Sequence, residues 1–223
     1  MTARFVIAID GPSGAGKGTV ARAIAGELVA RHVDTGAMYR AVAWRALEEG
    51  LSLDDGPSVA RLARTARLDL DGATVRIDGH DVSRAIRTSR IDAAATSVAR
   101  LPEVRQVLVD RQRRLAGDGR LVMEGRDIGT VVFPQADVKI YLDAAPEERA
   151  RRRSTDAARA SQSAPPTIVA NELAARDRLD RTRAVSPLVP APDAVVIDTT
   201  GVSIDAVVER VRSLVRTRLA SGR

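Results

Sequence analysis

Gly11-Pro12-Ser13-Gly14-Ala15-Gly16-Lys17-Gly18-Thr19 is the stretch whose reading decides the fold. It follows a short, nearly continuous apolar run, Arg4-Phe5-Val6-Ile7-Ala8-Ile9, of the kind found in a strand buried on both faces. After it, Val20, Ile24 and Leu28 recur at four-residue spacing, one face of a helix running from Gly18 to about Arg31. Strand, glycine-rich loop and helix in this order predict a phosphate-binding loop.

The glycines let the backbone curl until successive N–H groups point inward at phosphate oxygens, and the next helix adds its positive end. Lys17 can reach the outer phosphates of a triphosphate. Lysine occurs only at 17 and 139 in a chain otherwise rich in arginine, so its place in the loop is not background. It supplies a compact charge on a flexible stem, where arginine is a broad fork. Such loops usually carry Ser or Thr directly after the lysine. Here Gly18 stands there and Thr19 follows. That departure argues against a GTPase or motor site, where the hydroxyl binds magnesium. Mg2+ accompanying the triphosphate is therefore expected to be held largely by phosphates and water rather than by direct protein ligands, with Thr19 as a candidate helper.

Further apolar runs fall at His32-Val33-Asp34, Leu121-Val122-Met123, Val138 to Leu142 and Ala194 to Ile197, bounded by Asp, Gly or Pro. Helical stretches are predicted between them: from Asp34 or Thr35 as cap to about Glu49, over 58–66, Ser89 to Val98, Pro102 to Leu115, and from near Ser203 to the end. Between 68 and 82 the period becomes two. Leu68, Leu70, Val75, Ile77 and Val82 alternate with polar residues, and Asp71-Gly72 and Asp78-Gly79 supply turns. The fold class expected is α/β: a three-layer fold with a central parallel sheet wrapped by helices, plus a small antiparallel insertion and a helical lid. Residues 154–170 are small and polar and read as a loose segment between two arginine-rich stretches.

Composition narrows the function classes. The 223 residues suffice for one sizeable core. With no cysteine there is neither a disulfide framework nor a thiolate metal site, and two histidines, His32 and His80, do not build a transition-metal centre. The apolar runs are too short for a membrane span, so a cytoplasmic protein is the default expectation. A net charge of +6 permits a nucleic-acid partner, but 2% aromatic residues leave few side chains to stack bases. A small anionic substrate fits better.

Three other segments bear on chemistry. Asp34-Thr35-Gly36-Ala37-Met38-Tyr39-Arg40 can hold an anion through a hydroxyl and an arginine, although alone it reads more often as a capped helix with a surface arginine. Glu124-Gly125-Arg126-Asp127-Ile128-Gly129 follows a strand, where parallel sheets place ligands. Arg149, Arg151, Arg152 and Arg153, with Arg176 to Arg183, form two basic clusters. Alone these read as solvated helix faces; beside a triphosphate site they supply the positive charge that phosphoryl transfer needs.

Together these segments, with Asp180-Arg181-Thr182-Arg183-Ala184-Val185-Ser186-Pro187-Leu188, resemble bacterial cytidylate kinases, P-loop nucleoside monophosphate kinases that phosphorylate CMP and dCMP with ATP. The similarity covers nearly the whole chain in order. It implies one kinase domain over 1–223, with a monophosphate-binding insertion at about 35–105 and a lid at about 149–183. It places Gly11 to Thr19, Arg149 and Arg152 at ATP. It places Thr35, Arg40, Thr96, Arg105, Arg126, Asp127, Arg176, Asp180 and Arg183 at CMP, with Thr96, Arg105 and Asp127 near the base. Lys17, Arg126, Arg153 and Arg183 would act in catalysis. Thr35 and Thr96 stand where the family often has Ser. A monomer with small-molecule substrates, and no nucleic acid or membrane partner, is implied. A P-loop kinase for another nucleotide or metabolite is the alternative within enzymes. A basic RNA-binding or ATP-sensing protein is the alternative outside them.

Overall fold

The computed structural model describes residues 4–117, 119–155 and 165–221. Five strands, β1 (Phe5–Asp10), β2 (Arg31–Asp34), β6 (Arg120–Gly125), β7 (Val138–Asp143) and β8 (Val195–Asp198), form a parallel sheet in the order β2-β6-β1-β7-β8. The central strand β1 is buried at every position, as its unbroken apolar run requires. Its side chains alternate between two cores. Phe5, Ile7 and Ile9 pack with Val20 and Ile24 of α1 (Lys17–Leu28) and with Val207, Val211 and Val215 of α8 (Ile204–Ser221). Val6 and Ala8 face the other way, toward Val33, Leu121, Met123, Val109 and Ile128.

Between β2 and β6 the chain builds a second body. Helices α2 (Thr35–Glu48), α3 (Gly56–Thr65), α4 (Ser89–Val98) and α5 (Pro102–Arg114) share a core of Met38, Val42, Val59, Ala63, Val98, Val104 and Leu108. Strands β3 (Leu68–Asp71), β4 (Thr74–Ile77) and β5 (His80–Asp81) form a separate antiparallel meander, as the period-two pattern predicts. Val75 and Ile77 pack against Ala37 and Ala41 of α2. The Trp44 and His80 rings lie tilted by 54° with their centroids 5.9 Å apart. Helices α6 (Pro146–Ser154) and α7 (Pro166–Thr182) join through a small apolar core of Ala150, Val169 and Leu173.

The structure settles one open alternative, corrects two local expectations and adds one element. Asp34, not Thr35, caps α2: its carboxylate accepts from the Ala37 N–H at 3.0 Å. The first meander turn falls on Gly72-Ala73, because Asp71 is still paired with Thr74. Residues 166–170 are the first turns of α7 rather than a loose segment, since Pro166 presets helical φ at the first position; 156–164 lie outside the described residues. Ile128–Val132 form a π-helical turn that no apolar periodicity announced.

One contact fixes where the sheet hands over to the loop. Gly11 has φ +144°, and a Cβ there would run into the backbone carbonyl of Leu142 in β7. Gly11→Ala is therefore expected to destabilise the protein by about 1–3 kcal/mol through overpacking and backbone strain. Urea unfolding would show the loss; an unchanged midpoint would refute the assignment.

Candidate active site

Strand register brings three chain segments to one edge of the sheet. Asp10 at the end of β1 pairs in register with Gly125 of β6, and Asp34 at the end of β2 with Glu124. The glycine loop, the start of α2 and the turn after β6 therefore emerge side by side, at the carboxyl ends where parallel sheets bind ligands.

The loop takes the predicted form. Gly14 (φ +82°) and Gly16 (φ +92°) adopt left-handed conformations, and Gly16 precedes α1 with no side-chain cap, so the first N–H groups of the helix remain available. Lys17 is buried, and its ammonium donates to the Pro12 carbonyl at 2.7 Å. Burial, and then the neighbouring Arg126 charge, bring its pKa down to about 7. Asp10 is equally buried; its two oxygens accept from the N–H groups of Ile128 and Gly129 at 2.8 and 2.7 Å. Burial outweighs those bonds and raises its pKa to about 6.

A cavity of about 920 Å³ opens over the loop. Among the described residues its lining carries Lys17 and nine arginines against Asp34, Glu124, Asp127, Glu148 and Asp180, so its field favours an anion. Three lining arginines keep a buried donor without a hydrogen-bond partner among the described residues: Arg40 at Nε, Arg176 at Nε and Arg183 at Nη2. Buried donors left this way are costly, which points to a bound acceptor as the missing partner.

Most sequence-predicted residues line this cavity: Ser13 to Thr19, Thr35, Arg40, Thr96, Arg126, Asp127, Arg152, Arg153, Arg176, Asp180 and Arg183. Arg40 donates to Asp34 at 2.8 Å; burial pushes the Asp34 carboxyl up, but Arg40 and Arg87 outweigh it and hold it below the usual range. Arg126 donates to Asp180 at 2.9 Å and to the Gly11 carbonyl at 3.0 Å, which ties the turn after β6 to the loop. The Thr35 hydroxyl donates to the Glu124 carbonyl at 2.8 Å.

Four predicted residues stand one layer behind. Gly11 and Pro12 act through their carbonyls, which receive Arg126 and Lys17. Arg105, expected near the base, is buried behind Asp127, pairs with it, and lies 5.7 Å from the Tyr39 ring centre. Arg149, expected at ATP, directs its Nε to the Ala144 carbonyl and its Nη1 to the Ser13 carbonyl and Asp177. It braces the loop from below, and α6 packs so tightly on Gly14 that a Cβ there would meet the Arg149 backbone at 2.9 Å.

Several lining or supporting residues escaped sequence reasoning. His32, set aside as uninformative, lies 3.0 Å from Glu124, and a Glu124 oxygen sits 3.1 Å from where a Gly18 Cβ would be. Thr199 and Val202, between β8 and α8, and Ile204, the first residue of α8, also line the cavity. Arg152 is fixed there by Glu148 at 2.8 Å and by the Thr199 hydroxyl and carbonyl at 2.9 and 2.6 Å. Asp92 pairs with both Arg153 and Arg176. Only Asp10 had a signal, its position directly before the first glycine.

Comparison with known proteins agrees with this geometry. A family profile described as cytidylate kinase matches residues 7–217. The cytidylate kinase of Desulfitobacterium hafniense (strain Y51) is 46% identical over 225 residues, covering 100% of this chain and 97% of that protein. That of Solibacter usitatus (strain Ellin6076) is 47% identical over 224 residues, covering 99% and 96%. An uncharacterized protein of known structure from Eubacterium ventriosum superposes with a TM-score of 0.53 at 10% identity, over 96% of this chain and 99% of that one, a likeness of fold alone. With the profile spanning nearly its whole length and relatives this similar end to end, the chain belongs to the cytidylate kinase family.

Proposed function

We propose that this chain transfers the γ-phosphoryl group of ATP to CMP or dCMP. The observation that carries the reading is one cavity lined both by the glycine loop and by arginines with unpartnered buried donors. The glycine loop and Lys17 take the β- and γ-phosphates, and the half-exposed Val202 and Ile204 offer an apolar face for adenine opposite the pinned Arg152 guanidinium. Arg40, Arg126, Arg176 and Arg183 surround the acceptor phosphate. That acceptor is already an anion, so the reaction needs alignment and charge stabilisation rather than a strong base.

The base is read by Asp127 and Thr96. The Thr96 hydroxyl donates to the Asp92 carbonyl at 2.9 Å, which leaves its lone pairs facing the cavity as acceptors. A carboxylate and a hydroxyl acceptor suit the amine of cytosine; the uracil carbonyl in the same place would face a like partial charge. Arg105 backs Asp127 and keeps it aimed.

Mg2+ enters as the partner of ATP. Gly18 removes the hydroxyl that usually ligates it, and the Glu124 carboxylate, held by His32, occupies that side of the loop. The residues fit an ion carried mainly by phosphates and water, with Thr19 and Glu124 able to receive that water. When bound, it would neutralise charge on the phosphate oxygens. We also infer a single kinase unit with an acceptor-binding insertion at 35–105 and a lid at 149–183, active as a monomer. Among the described residues no helix is long and apolar enough to cross a membrane.

A panel of nucleoside monophosphates with Mg-ATP tests the reading. CMP and dCMP are expected to be the best acceptors, with UMP weaker by about 100-fold or more because a buried acceptor would be left facing an acceptor. A better acceptor outside cytidine nucleotides removes the substrate assignment; no monophosphate turnover at all removes the kinase assignment.

Lys17 gives a pH-linked expectation. Its folded pKa of about 7 lies below the unfolded value of 10.5, so between those pH values the unfolded chain holds the extra proton and stability rises with pH. Bound phosphates reverse the balance and favour the charged ammonium. At pH 8, ATP binding should take up close to about 1 proton, seen as buffer-dependent enthalpy in calorimetry. The uptake should vanish in Lys17→Met; persistence there would assign the proton elsewhere.

A further inference from the structure

Arg153 and Arg176 come from different helices, α6 and α7, and both line the cavity. One carboxylate is shared between them. Asp92 Oδ2 pairs with Arg153, and Asp92 Oδ1 accepts from Arg176 Nη1 at 3.1 Å. Asp92 belongs to α4, on the other body of the protein, and does not itself line the cavity. Reading outward, the order is cavity, arginines, carboxylate. The carboxylate therefore backs the two guanidiniums and leaves their inner edges facing the ligand space.

Two guanidiniums at one anion-binding site repel one another and lose hydration. Burial lowers the pKa of Arg176, the Arg126 and Arg40 charges lower it further, and Asp92 is the leading opposing influence. Without that carboxylate the two guanidiniums lose the charge they share. A second contact, the Ser89 hydroxyl to Glu172 at 3.4 Å, joins the same pair of helices, α4 and α7. One helical turn after Asp92 stands Thr96, whose hydroxyl bonds the Asp92 carbonyl. The residue facing the base and the residue holding the arginines thus share one rigid turn.

We propose that Asp92 is a positioning residue that clamps Arg153 and Arg176 over the transferring phosphoryl group and ties their position to the helix that carries Thr96. This rests on the phosphotransfer reading above. A blander role also exists: Asp92 lies in the first turn of α4, where a carboxylate stabilises the helix dipole. That role changes stability and leaves the chemistry of the folded fraction untouched, so the two are separable.

Steady-state kinetics of Asp92→Asn, nearly isosteric and uncharged, is the test. The clamp predicts a fall in kcat of about 10- to 100-fold, because the arginines lose their aim. The KM for ATP should stay within about 2-fold, since the glycine loop is untouched. Asp92→Glu should recover most of the lost kcat. In an Arg153→Ala background, Asp92→Asn should cost much less than it does alone, the non-additivity of residues acting through one another. A folded Asp92→Asn enzyme with wild-type kcat, or an undiminished loss in the Arg153→Ala background, overturns the clamp. Should Asp92→Asn fail to fold, Asp92→Ser is read by the same criteria. Wild-type turnover of CMP separates the two levels: its absence defeats the phosphotransfer reading, whereas normal wild-type turnover with an unaffected Asp92 variant defeats the clamp alone.

Discussion

Lys17, Arg40, Arg126, Arg153, Arg176 and Arg183 surround one cavity, and the rest of the site depends on how their mutual repulsion is contained. Two unit charges about 4 Å apart near a protein surface repel by about 4 kcal/mol, and buried charges also lose hydration. The chain answers with carboxylates set beside the cations, Asp34, Asp127 and Asp180 on the cavity wall and Asp92 outside it. Asp34 holds Arg40, Asp180 holds Arg126, Asp92 holds Arg153 and Arg176, and Asp127 and Asp180 lie within 3.9 and 3.8 Å of Arg183. Each carboxylate sets a direction as well as a charge. The remaining donors face inward, so the electrostatic complement of a phosphoryl group exists before the substrates arrive, the condition for preorganised catalysis.

Asp10 performs the same service for backbone. Its two oxygens collect the N–H groups of Ile128 and Gly129, which fixes the turn that carries Arg126 and Asp127 against the end of β1. Arg126 returns the connection through the Gly11 carbonyl. The glycine loop and the turn that carries Arg126 are therefore tied into one unit. The bonds from Arg149 to Ser13 and Asp177 extend that unit to α6 and α7. Arg149, expected to touch nucleotide, also serves as a brace, because its Nε and Nη1 donors go to the Ala144 and Ser13 carbonyls and to Asp177.

Much of this was legible in the chain. The apolar run before Gly11 and the four-residue spacing after it specify strand, loop and helix through local rules, and the period-two stretch at 68–82 specifies the meander. The π-helical turn at Ile128–Val132 was not legible, because it is held by Asp10, more than a hundred residues earlier. His32 and Asp92 carried no signal either. A lone histidine and an acidic residue in the first turn of a helix look ordinary until β6 and the two arginine helices are brought against them.

By itself, the sequence determined the phosphate loop, its lone lysine, the absent hydroxyl at Gly18 and the supply of arginines, because these follow from residue type and near-neighbour spacing. Tertiary structure alone decided which arginines face the cavity and which stand behind it. A guanidinium points where its acceptors are, and for Arg105, Arg149, Arg153 and Arg176 those acceptors include Asp127, Ser13, Asp177 and Asp92, supplied by distant parts of the chain.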